Sequence, residues 1–141
     1  MSPTLYHPGP LSELPRPYYP GPVAAGFPSP AEDYLEEVLD LNKHLVTRPA
    51  ATFYIRVVGD SMTGAGILSG DLAVVDRSLE PREGHVVLAV VDGGFTVKRL
   101  KRADGELALA AENPAHSNIV IPESGFEVWG VVVHVIHSLA K

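Results

Sequence analysis

The strongest constraint on this 141-residue chain is where its prolines fall. Nine of the 13 (Pro3, Pro8, Pro10, Pro15, Pro17, Pro20, Pro22, Pro28 and Pro30) lie in the first 30 residues. Proline fixes φ and lacks a backbone donor, so this stretch is expected to form neither regular ladders nor long helices. It reads as an extended arm over residues 1–28, docked elsewhere or trailing as a tail of no consequence. The remainder must therefore carry the fold. With 45% hydrophobic residues over the whole chain, it has enough apolar surface for one compact core.

A helical connector is expected over 29–47. Ser29 can cap it, Pro30 suits the first helical position, and Glu32 completes a capping box. Tyr34, Val38, Leu41 and Leu45 recur at helical spacing, while Asp40 offers a cap for a second short helix. From residue 48 the pattern turns to β. Runs 52–58, 72–76, 86–91, 95–100, 119–121 and 126–136 are rich in β-branched and aromatic residues, with 107–110 weaker. Asp92-Gly93 and Asp104-Gly105 have the composition of hairpin turns. The expected class is mainly β: a small, curled antiparallel sheet or partial barrel, preceded by the arm and a short helix or two.

Composition narrows the function. Eleven Lys+Arg against 17 Asp+Glu leave a net charge of −6, which opposes autonomous binding to nucleic acid. No cysteine is present, so disulfides, thiolate metal sites and a cysteine nucleophile are excluded. Neither clustered ligand spacing nor a phosphate loop appears, and no cofactor or metal is expected. The apolar run 128–139 is interrupted and too short for a bilayer of about 30 Å, and no signal peptide is visible, so a cytoplasmic protein is expected.

Two places carry chemistry. Gly59-Asp60-Ser61-Met62 stands where a strand gives way to a glycine-containing loop. A serine there can present its hydroxyl to a cleft while turn amides face a developing oxyanion. Gly-Asp-Ser is also ordinary turn chemistry. The six histidines (His7, His44, His85, His116, His134 and His137) sit in no motif that pairs with a serine. Lysine is the other base, and alternation in Phe95–Leu100 puts Thr96, Lys98 and Leu100 on one face. A lysine acts as base only when neutral, and full burial can lower its pKa by about 3–5 units. Alternatively, Lys98, Arg99, Lys101 and Arg102 form a solvated basic cluster or a docking surface for an acidic partner.

Together these segments resemble the LexA-like (S24) self-cleaving serine–lysine peptidases. The likeness rests on Gly59–Met62, Gly66-Ile67, Gly70-Asp71-Leu72, Val75-Asp76, Gly84–Val87, Phe95–Leu100, Glu112-Asn113-Pro114 and Val128–Val132. It covers about 53–136, within a peptidase domain placed at 48–141. The arm segment Ala24–Ala31 is similar to the cleavage segment of the UmuD-type members, with alanine where some carry cysteine. About fifty non-basic residues precede the sheet, too few for a DNA-reading domain.

The resemblance implies a function. Ser61 would be the nucleophile, Lys98 the base, and the Ser61 and Met62 amides the oxyanion donors. The scissile bond would be Ala25–Gly26. Cleavage would be stimulated by a RecA–single-stranded-DNA filament. The shortened homodimer would serve a Y-family translesion polymerase in SOS mutagenesis, without sequence-specific DNA contact of its own. Thirty-five residues separate Gly26 from Ser61, and an extended chain covers about 3.3–3.6 Å per residue, so cutting in cis or in trans is within reach. Three other readings stand beside this one. A signal-peptidase-like enzyme would need a membrane anchor, and a repressor fragment is opposed by the acidic charge. A non-enzymatic β-rich binding module would make Ser61 and Lys98 structural.

Overall fold

The computed structural model describes residues 12–27, 36–115, 119–120 and 125–140. They divide into two compact units, one within Pro10–Thr47 and one within Arg48–Lys141.

In the first unit, strand β1 (Pro15–Tyr18) pairs antiparallel with β2 (Glu37–Asp40), and helix α1 (Leu41–Leu45) follows directly. Two expectations change here. The proline-rich arm does enter a ladder. Pro15 and Pro17 alternate with Arg16 and Tyr18, so in an antiparallel pair both proline nitrogens can face away from β2 while their neighbours bond. The helical spacing through Val38 also misleads, because 37–40 is a strand. Asp40 ends it and caps α1, its Oδ1 accepting the Asn42 N–H at 3.0 Å. Leu14 N–H donates to the other Asp40 oxygen at 3.2 Å, and Lys43 pairs with Glu13 at 3.0 Å. The Ser29, Pro30 and Glu32 cap and Tyr34 lie outside the described residues.

The second unit is one seven-stranded antiparallel sheet. Its strands are β3 (Thr52–Arg56), β4 (Leu72–Asp76), β5 (Val86–Val91), β6 (Gly94–Ala103), β7 (Glu106–Ala110), β8 (Ile119–Val120) and β9 (Glu127–Ile136). Their spatial order is β3-β4-β9-β5-β6-β7-β8. The two Asp-Gly steps are two-residue hairpins: Val91 pairs with Gly94 and Ala103 with Glu106, and Asp92 and Asp104 have φ of 49° and 50°. Every strand expected from composition is present, including the weak one at 107–110.

β9 curls the sheet. Its pairing slips by one residue against β4 at Val133 and against β5 at Trp129, and such bulges bend a strand and increase its twist. The sheet is not closed into a barrel. The curl nonetheless brings Phe53 and Ile55 of β3 against Leu88 of β5 and Val97 of β6 in one apolar cluster. A second cluster joins Val87, Ala89, Leu100, Leu109 and Val131, and a third joins Val57, Met62, Ile67 and Ala73. No helix among the described residues is long and apolar enough to cross a membrane.

Candidate active site

Ser61 stands on the loop between β3 and β4, and two residues close to it show how it is presented. Met62 is 2% exposed and inserted in the third cluster with Ile67, so the loop is nailed to the core next to the serine. Gly59 has φ of 103°, a left-handed conformation that side chains disfavour, and it turns the chain out of the strand line. Val57 N–H donates to Asp71 O and Gly70 N–H to Val57 O, closing the base of the loop. Buried Asp71 accepts the Leu68 N–H at 2.8 Å, a bond that holds its carboxyl below the usual range.

A second element braces the loop. Glu112, just past β7, donates its N–H to Ser61 O at 2.8 Å and accepts the Gly64 N–H at 2.6 Å. Asn113 Nδ2 donates to Asp60 O at 2.6 Å. The approach at Gly64 leaves no room for a side chain, since a Cβ there would lie 2.7 Å from Glu112 O. Gly64→Ala is expected to cost about 1–3 kcal/mol of stability by overpacking and to slow any Ser61 chemistry at least severalfold. A melting curve beside a cleavage time course would check both.

Lys98 comes from β6, 37 residues away in sequence. Its Nζ lies 3.0 Å from Ser61 Oγ, 3.0 Å from Thr96 Oγ1 and 3.3 Å from Val97 O. The alternation read from sequence is therefore correct, with Thr96 and Lys98 on one face. All three partners are neutral, and burial lowers the lysine pKa from its ordinary 10.5. The basic cluster dissolves into separate roles. Lys98 faces the cleft, Arg99 pairs with Glu112, and Arg102 lies 3.7 Å from Glu83.

The pair opens into a cleft of about 430 Å³ lined by residues 53–59 of β3 and its loop, Leu88, and 95–98 of β6. No described histidine lines it. His85 Nδ1 accepts the Arg82 N–H, and His137 lies 2.6 Å from Asp71. Within the serine loop, the amides of Thr63, Gly64, Ala65, Gly66 and Ile67 are all spent on carbonyls of the loop or of Glu112. Those of Ser61 and Met62 are given no such acceptor among the described residues. A serine beside a partly buried lysine, in an apolar cleft with two amides to spare, is equipped for acyl transfer.

Ala25 and Gly26 are exposed and lie in the connection between β1 and β2, within the first unit. Sequence reasoning noted Glu112-Asn113 only as part of a resemblance and missed that it supports Ser61. The signal was weak because its contribution is mostly main-chain.

The profile of the Peptidase S24-like family matches residues 17–133, most of the molecule. The chain belongs to the S24-like peptidase family. It is a self-cleaving serine peptidase of the LexA/UmuD type that acts in SOS mutagenesis. It is similar to Protein ImpA of Escherichia coli, 45% identical over 139 residues that cover 95% of this chain and 94% of ImpA. Protein SamA of Salmonella typhimurium is 51% identical over 114 residues, 81% of this chain and 79% of SamA. LexA repressor 1 of Xanthomonas campestris is 42% identical over 120 residues, which are 84% of this chain and 59% of the repressor.

Proposed function

We propose that this S24 peptidase cuts its own Ala25–Gly26 bond with Ser61 as nucleophile and Lys98 as general base. The observation that carries the reading is the 3.0 Å contact between Lys98 Nζ and Ser61 Oγ, made where the lysine's hydrogen-bond partners among the described residues are neutral. Neutral Lys98 takes the Ser61 proton as Oγ attacks the Ala25 carbonyl carbon. The Ser61 and Met62 amides receive the oxyanion. The ammonium then returns the proton to the Gly26 nitrogen, which leaves, and water hydrolyses the Ser61 ester to release the Ala25 carboxylate.

Small residues at the cut suit this chemistry, because the substrate strand must lie close over Ser61. The cut also separates two paired strands, since β1 belongs to fragment 1–25 and β2 to fragment 26–141. A four-residue, two-stranded ladder whose β1 residues are all exposed is marginal in water, so the fragments part. In the same reading the protein works in the cytoplasm as a homodimer. A RecA–single-stranded-DNA filament favours the cleavable conformation, and the shortened form joins a Y-family translesion polymerase.

The test is mass spectrometry of the purified chain with and without an activated RecA filament, followed by size exclusion. A filament-dependent product beginning at Gly26, eluting free of residues 1–25, is expected. A chain that stays whole both with the filament and at alkaline pH would favour a non-enzymatic binding module instead.

A further inference from the structure

β6 carries more than the lysine. Successive residues of a strand face opposite sides, so Arg99 points away from the face that bears Lys98. There its Nε and Nη2 engage the two carboxylate oxygens of Glu112, the second contact being 3.1 Å. Its Nη1 donates to Gly84 O at 2.6 Å. Gly84 N–H in turn donates to Leu100 O, so the guanidinium is tied back onto its own strand. Glu112 is the residue whose main chain grips the serine loop at Ser61 O and at Gly64 N.

We propose that the Arg99–Glu112 pair is a positioning device for self-cleavage: it locks the loop that carries Ser61 to the strand that carries Lys98, and so sets the distance between nucleophile and base. This rests on the reading of Ser61 and Lys98 as the catalytic pair. The bidentate fork gives direction as well as attraction, which a single lysine contact would not. Both side chains are about three-quarters covered, so removing one partner strands the other in a poorly solvated place. Neither group touches the reacting atoms. A glutamate is ionised from pH 7 to pH 11 at its ordinary pKa, and the bond to Arg99 lowers that of Glu112 further, so its own titration does not enter the rate profile there.

The test compares full-length wild type with Arg99→Ala, Arg99→Lys, Glu112→Ala, Glu112→Gln and the double alanine variant. Self-cleavage rates are followed from pH 7 to pH 11 beside Ser61→Ala, Lys98→Ala and a melting curve for each. A misplacement near 1 Å can cost about 10²-fold, so the alanine variants are expected to lose roughly 10- to 100-fold from the alkaline plateau. The pH midpoint should stay that of the wild type, and the double variant should be no slower than either single one. Arg99→Lys and Glu112→Gln should fall between. These two keep the size of the side chain and decide the matter if an alanine variant fails to fold.

Plateau rates at the wild-type level in folded variants would overturn the proposal. So would a lowered rate fully explained by a displaced midpoint, which would mean that the pair acts on the lysine's charge instead. Cleavage that survives in Ser61→Ala or Lys98→Ala would overturn the catalytic reading beneath it, a result the Arg99 and Glu112 variants cannot mimic.

Discussion

Ser61→Ala and Lys98→Ala are each expected to leave the chain whole under conditions where the wild type yields a fragment beginning at Gly26. Removing the nucleophile removes the acyl intermediate altogether. Removing the base forfeits the proton acceptor, an effect of roughly 10²–10⁴-fold for general base catalysis. Lys98→Arg is the more telling change. Arginine keeps the charge and the length but does not deprotonate in proteins, so this variant should stay inactive even at pH 11. Met62 and Asp71 hold the loop independently of the lysine, so the Lys98 variants should fold. Intact-mass time courses at pH 7 and pH 10 make the comparison. A Gly26 fragment from Ser61→Ala would refute the assignment of the nucleophile.

The second large effect is the pH dependence of wild-type cutting without any activator. Only neutral Lys98 can take the serine proton, so below its pKa the rate should rise about tenfold per pH unit and then level off. The midpoint should fall below the ordinary lysine value of 10.5, because burial disfavours the ammonium and its hydrogen-bond partners among the described residues are neutral. The same shift has a signed consequence for stability. A lysine whose folded pKa lies below its unfolded pKa penalises folding fully at pH values under the folded pKa. The penalty fades as pH climbs toward the unfolded value, where both states are neutral. Lys98→Met should accordingly melt higher than wild type at pH 7, with the gain shrinking by pH 10. A rate profile that is flat from pH 7 to pH 11 would remove lysine from the mechanism.

Much of this site could be read in the chain before folding. The hairpins at Asp92-Gly93 and Asp104-Gly105 were legible because a two-residue turn demands left-handed residues that few side chains accept. Thr96 and Lys98 could be put on one face because the strand period is two. The arm misled for an equally local reason. Proline's missing donor matters only at positions that face a partner strand, and sequence alone does not say which positions those are. Val38 sat in a helical pattern, yet pairing with Pro17 drew it into a strand, a long-range contact overriding a local preference. Glu112 and Asn113 left little trace because their grip on the serine loop is made by main-chain groups and by one amide that every asparagine carries.

The division follows the range of the forces. What the sequence determined by itself was local: a β-rich body after residue 48, its turns, the face on which Lys98 lies, and the residue types that a serine–lysine pair requires. Juxtaposition came from packing across the sheet. Ser61 and Lys98 meet at 3.0 Å because two bulges in β9 curl the sheet until β3 faces β6, and because Glu112 ties the serine loop beside the lysine strand. The lowered pKa has a related origin, since the burial that causes it is set by the packing around Lys98.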